Sequence, residues 1–564
     1  MKKTNHGSIN LVKILSPLKL KQKPLIWLFL AMLSLGTSRI SANNIAVSGV
    51  TLTGRDISAG ANNAANFTLV QFNVTWENSW RVPSGPSNWD AAWLFVKYRL
   101  TGGAWQHAFL NNTGHTAPSG STIDVGLLTP GSAFNSTSNP GMGGFIYRSS
   151  NGAGTATYNN VRLRWNYGAN GVGDNDVVDI RVYAVEMVYI TQGSFSVGDG
   201  SSGLIAGNFR DAASNIPFAI SGEGAITLGG TTAGNLGNNN SISMDSADDF
   251  SSSTTRTLPA NFPKGFKAYY MMKYEISQQQ YVDFLNTLTR AQQTNCVATD
   301  VASPNTAPGL NNRYVLAINT TVQNRNGVAC DATIPANDPI TFYCDLDGDG
   351  TGGETNDGQW LPCNFLSWNF TSSYLDWSGL RPMTELEYEK ACRGNQTPVV
   401  DEYAWGSTTF TLITGISNSG QTNETITPTN ANVNSIHATT GNPSTGIDGP
   451  VRVGVYATST GTRVTSGAGY FGCMELSGSL WERTITVGNP GGRAYTGNHG
   501  DGALNASGYA DQSSWPVNTY GSGRRGGQWT AHSRYWKVSD RLSSSSTAVC
   551  TCAWNGGRGV RTAP

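Results

Sequence analysis

From Val70 to Trp76 the chain reads VQFNVTW, with the apolar residues Val70, Phe72, Val74 and Trp76 alternating with Gln71, Asn73 and Thr75. A period of two places one set of side chains on each face of a pleated strand, so this stretch must pair into a sheet with one face buried. WLFVKYRL, VRLRWNY and VVDIRVYAV repeat the pattern, separated by Gly, Asn, Ser and Pro clusters that act as turns. Residues 45–184 are therefore expected to form an antiparallel β-sandwich. Its aromatic-rich stretch WENSWRVPSGPSNWDAAW would serve either as a carbohydrate platform or as the sandwich core.

Further on the period changes. In ISQQQYVDFLNTLTR, Ser277 and Gln280 have capping-box spacing, and Tyr281, Phe284, Leu285 and Leu288 fall on one helical face. NFTSSYLDWSG predicts a second helix stopped by Gly379, and TELE at Thr384–Glu387 caps a third through Ala391. Residues 198–257 are rich in Gly, Asn and Ser and are expected as a long insertion rather than a folded unit. The last 170 or so residues are Gly-rich and aromatic-rich, with few runs long enough for regular strands. The fold class expected from this order is α+β.

Residues 1–42 carry six lysines, then PLIWLFLAMLSLG, then small residues before Asn43, which reads as a secretory signal peptide. As a membrane anchor the apolar run is short of the ~20 residues a span needs. Beyond the leader there remain 30 basic and 37 acidic residues, a net charge of −7. That balance excludes electrostatic attraction to nucleic acid, and no transmembrane segment is expected in the mature chain. The chain is thus expected in the periplasm, on the outer surface or outside the cell. All eight cysteines follow the leader, and an even number in an exported chain favours disulfides. The pairs expected are Cys296 with Cys330 and Cys344 with Cys363; Cys550-x-Cys552 reads as a metal or redox site, or as a disulfide partner for a residue such as Cys392.

DLDGDGTGG at Asp345–Gly353 places Asp345, Asp347 and Asp349 at alternate positions ahead of Gly350, the spacing by which one turn offers hard oxygen ligands to calcium. Position 12 is Asn356, which disfavours an EF-hand, but Glu354 or Asp357 could complete a looser site. The alternative is a solvated acidic turn.

The order of EMVYITQGSFSVGD, YYMMKYEISQQQYVDFLN, WSGLRPMTELEYEKACRG, YAWGS, ANVNS, YFGCMELSGSLWE, RRGGQW and GGRGVRTA resembles that of the formylglycine-generating, or sulfatase-modifying-factor, family over residues 185–564. The resemblance implies an irregular C-type-lectin-like fold with structural calcium. In catalytic members it also implies copper-dependent oxidation of a substrate cysteine to formylglycine. The family's active-site motif falls on GGQWTAHSRYW through Gly526, Gly527, Trp529, His532 and Tyr535, and its two copper-binding cysteines fall on Ala531 and Trp536. Copper(I) needs thiolates, so neither copper nor the oxidase chemistry is expected. His532 is expected as a hydrogen-bonded structural imidazole rather than a catalytic base.

The resemblance also implies calcium ligands at Asn432, the Val433 carbonyl and Asp448. At a second family site Ser479 replaces the usual Asn. The chain then reads as a non-catalytic binding or structural module that presents Trp529, His532, Arg534, Tyr535 and Trp536 to a glycan, a peptide or an envelope protein. A formylglycine-generating oxidase or another metal-dependent enzyme of the same family, and a diversified lectin-like receptor, remain as alternatives.

Overall fold

A computed structural model describes residues 45–201, 205–239, 244–301, 313–437 and 446–564. The leader expected at 1–42 lies outside the described residues. The rest is mostly sheet, with five helices among the described residues.

The N-terminal region is antiparallel, and the sequence alternation sets its register. Ala46–Asp56, Phe67–Arg81 and Gly152–Trp165 make a three-stranded sheet. It faces an eight-stranded sheet across a core of Val70, Phe72, Val74, Trp76, Leu94, Val96 and Leu163. The aromatic-rich stretch belongs largely to the interior. Trp76 and Trp93 are buried, and Asp90 between them accepts hydrogen bonds from Trp76 Nε1 at 3.0 Å and Ser79 Oγ at 2.8 Å. Trp89 is half-buried and stacks on Tyr189 at 4.1 Å.

The larger sheet changes the expected domain division. Its strands run in the order Arg381–Pro382, Gly559–Thr562, Tyr269–Met272, Val178–Ile190, Asp90–Leu100, Gly141–Arg148 and Ser121–Leu127, with Gln106–His107 paired to Asp90–Leu100. Val178–Ile190 pairs with Asp90–Leu100 on one side and Tyr269–Met272 on the other. The boundary expected at 184/185 therefore falls inside a strand, and the described residues from 45 onward belong to one compact unit. The reason lies in Asp90–Leu100, which is buried on both faces. Ala92, Leu94, Val96 and Tyr98 point into the sandwich, while Ala91, Trp93 and Phe95 join the core of the C-terminal region. Lys273 adds a buried ionic tie, 3.4 Å from Asp90 and 3.1 Å from Glu186.

The helices follow their local signals. Helix α1 (Gln278–Leu285) has the Ser277/Gln280 capping box, and α4 (Glu385–Arg393) has the Thr384/Glu387 one. Between them lie α2 (Arg290–Cys296), which sequence reading missed although Thr289 and Gln292 box it, and α3 (Trp368–Trp377). The described residues of the 198–257 segment are folded, contrary to expectation. Asn208–Asp211, Ile226–Leu228, Leu236–Asn239 and Arg256–Leu258 form a sheet, and Phe209, Leu228, Leu236, Phe250 and Leu258 enter the main core.

The expected disulfides are also corrected. Cys296, Cys330, Cys344 and Cys363 are free thiols packed as small apolar groups in the main core. Burial pushes each of their thiols up. The disulfide found joins Cys550 to Cys552, so Cys392 is not a partner of either.

Candidate functional site

The loop 526–540 is held at both ends by arginines that reach one helix. Arg525 donates to Glu385 at 2.9 Å, Glu389 at 2.7 Å and the Val538 carbonyl at 2.6 Å. Arg541 donates to Glu385 at 2.7 Å and to Asp248 at 2.7 Å. Glu385 and Glu389 project from α4, whose residues are buried along its whole length. Burial opposes the charge on Glu385, but Arg541 and Arg525 outweigh it and hold the carboxyl below its usual range.

Gly526 and Gly527 start the loop in left-handed conformations, with φ of 91° and 71°. A Cβ on Gly527 would stand 2.3 Å from Trp536 Cδ1, so the absence of a side chain lets the loop close on the indole. Trp529 N–H donates to the Ser479 carbonyl at 3.0 Å, and Ile436 N–H donates to the Trp529 carbonyl at 2.9 Å.

His532 caps the 3-10 turn Ser533–Trp536, its Nδ1 accepting from the Arg534 N–H at 3.2 Å. Burial, with Arg534 and Lys537 nearby, lowers its pKa, which favours the neutral ring an acceptor nitrogen requires. Arg534 hydrogen-bonds the Tyr535 hydroxyl and lies 4.5 Å from the centre of that ring.

The surface expected from five residues is smaller than foreseen. His532, Arg534 and Tyr535 are half-buried at the surface, but Trp529 is 2% exposed and Trp536 is 0% exposed. The Trp536 indole packs with Tyr403, Trp405 and Val433 and donates to the Gln528 carbonyl at 3.2 Å. Trp536 is interior because rings and Val433 wall it and a carbonyl accepts from its Nε1, while the Trp529 Nε1 donates to the Ala553 carbonyl at 3.4 Å. Ala531 is buried beside them. Two clefts, of about 450 Å³ and about 380 Å³, are lined by no residue of 526–540.

Asp540, the one acid in this stretch, is 2% exposed and accepts from the Leu542 N–H at 3.1 Å. Burial pushes its carboxyl up to about 7. An acid raised in the folded state gains a proton on folding between its unfolded value, roughly 4, and its folded value. Its contribution to stability therefore falls as pH rises through that window. Asp540→Asn is expected to stabilise the protein at pH 8 by on the order of 2 kcal/mol, with the gain shrinking towards pH 5. Urea unfolding of both proteins at the two pH values measures this.

The acidic loop gathers as its spacing implied. Carboxylate oxygens of Asp345, Asp347 and Asp349 lie within 4.8 Å of one another, and so do those of Asp347, Glu354 and Asp357. Asp345 is also paired with Arg313 and accepts from Tyr314 at 3.0 Å. Asp357 is buried, and its Oδ1 has no hydrogen-bond partner. Asp349, with burial and its other acidic neighbours, raises the Glu354 carboxyl.

The positions implied by the family resemblance carry hydrogen bonds of their own. Asn432 accepts from Thr411 N–H at 2.9 Å and donates to the Val464 carbonyl at 2.8 Å, and the Val433 carbonyl accepts from Ile413 N–H at 3.1 Å. Exposed Asp448 accepts from Asn324 at 3.0 Å. Sequence reading missed Asn434, which clips the turn holding Asp448 through Ile447 and the Gly449 carbonyl, each at 2.9 Å. Ser479 donates to buried Glu275 at 2.8 Å.

A family model described as sulfatase-modifying factor enzyme 1-like domain matches residues 241–563. No curated protein matches the chain. The match spans more than half of the sequence and contains the Arg525–Arg541 frame, the loop it holds and α4, and on this ground the chain belongs to the sulfatase-modifying factor family.

Proposed function

We propose that this chain is an exported, non-oxidising member of its family, with a C-type-lectin-like fold over the family region, and that it works as a binding or structural module of the cell envelope or surface. The observation that carries the reading is the pair of residues at the two thiolate positions. Ala531 offers no donor atom, and Trp536 offers a buried indole already bonded to Gln528. Neither can ligate copper(I). Cys550 and Cys552 are bonded to each other and supply no thiolate. The groups left at the surface of the loop, His532, Arg534 and Tyr535, suit contact with a glycan, a peptide or an envelope protein. The lysine-rich leader supports export. Among the described residues no helix is long and apolar enough to cross a membrane.

Calcium is the metal this reading assigns, at the loop of Asp345, Asp347 and Asp349 with Glu354 and Asp357. Crowded carboxylates and the unpartnered Asp357 oxygen fit a hard divalent cation. After equilibration with calcium and copper(I) together and desalting, the protein is expected to retain calcium and no copper by elemental analysis. Calcium at about 100 times its Kd is expected to add about 2.7 kcal/mol of stability, which a chelator removes and the Asp347→Asn/Asp357→Asn pair abolishes. Retained copper without calcium would contradict the reading.

A further inference from the structure

We infer that Arg483 and Arg524 form a binding site for an oxyanion, a carboxylate or sulfate group carried by a ligand. Trp481–Ile485 and Ser522–Arg525 pair antiparallel, with Arg483 directly opposite Arg524. Directly opposed residues emerge on one face of a sheet, and like charges in that position repel.

Arg483 is 1% exposed, and none of its three guanidinium nitrogens has a hydrogen-bond partner. Burial and the neighbouring Arg524 push its pKa down to about 9, and no acidic group opposes them. The other fully buried arginines among the described residues are provided for. Arg381 pairs with Glu387, Arg393 with Glu389 and Glu402, and Arg525 with Glu385 and Glu389. Arg541 pairs with Asp248 and Glu385, Arg558 with Glu482, and Arg561 donates to the Gly379 and Leu127 carbonyls.

A buried cation with neither a counter-charge nor a hydrogen-bond acceptor is strongly disfavoured, and the guanidinium fork matches the oxygens of a carboxylate or sulfate. Arg524, opposite Arg483 on the same face, is the less buried of the two. It is 8% exposed, its Nε is unpartnered, and its other bonds are long: 3.3 Å to Asn555, 3.3 Å to Ser546 and 3.7 Å to Asp245. Asp245 is half-exposed and turned to Arg524, so it leaves Arg483 uncompensated.

Isothermal titration of the intact protein with sodium sulfate, and separately with sodium acetate, at an ionic strength held constant with sodium chloride, tests the site. One saturable anion per chain is expected, and the tighter salt identifies the preferred group. Arg483→Gln is expected to weaken that binding at least tenfold and to fold at least as well as the parent in chloride. Arg524→Gln, which leaves the buried charge in place, is expected to weaken it as well. Saturable binding unchanged in both variants, or none by the parent with either anion, would overturn the inference.

Discussion

Glu385→Ala is expected to destabilise the protein by about 3–5 kcal/mol, a large part of the stability of an ordinary domain. Glu385 accepts from both Arg525 and Arg541, and its removal leaves each with a weakened set of partners in a dry interior. Arg541 would retain Asp248 and Arg525 would retain Glu389, so the loss concentrates where 526–540 is tied to α4. Glu385→Gln should recover part of the loss, since an amide oxygen still accepts one of these bonds. Its carboxyl is held below the usual range, so the contribution is present above the unfolded value of roughly 4.3 and is lost as pH falls through the folded value. Urea unfolding followed by circular dichroism measures both variants, and a loss under about 1 kcal/mol would show that the frame does not depend on Glu385.

Trp536→Ala is the second large effect, expected at about 3–5 kcal/mol because it opens a cavity among rings that cannot collapse onto a methyl group. Tyr403 and Phe410 lie 6.2 Å and 5.4 Å from the indole, and Val433 packs in the same cluster. The bond to the Gln528 carbonyl is lost as well. Thermal and urea unfolding would detect it. A near-neutral result would mean that the indole is a contact group rather than a wall. Cysteine in place of Trp536 is expected to carry most of the same penalty, so a thiol pair at 531 and 536 would loosen the loop.

These two residues also mark how far the sequence could be read. Capping boxes were legible because Ser277 with Gln280 and Thr384 with Glu387 lie within one turn. The alternation from Val70 to Trp76 was legible for the same local reason. The burial of α4 was not, since ELEYEKACR has the charge content of a solvent face and the arginines that neutralise Glu385 stand 140 and 156 residues away. The shared sheet was half-visible. DAAWLFVKYRL at Asp90–Leu100 is nearly continuous in apolar residues, the mark of a strand covered on both faces, but nothing local says what covers the second face.

Residues 198–257 misled through averaging. Widely spaced Phe209, Leu228, Leu236 and Phe250 anchor the segment to the core, while Gly, Asn and Ser dominate its composition. At the loop itself, residue types at 531 and 536 led to the expectation of no copper site, and only the fold could show that Trp529 and Trp536 face inward.

The central proposal is that this family member has no copper oxidase chemistry. Its most direct test is to incubate the purified protein with copper(I), oxygen and a peptide containing Cys-x-Pro-x-Arg, and to follow the peptide by mass spectrometry. The cysteine is expected to emerge unchanged. Conversion of its side chain to the aldehyde, at a rate above that of copper alone, would contradict the account.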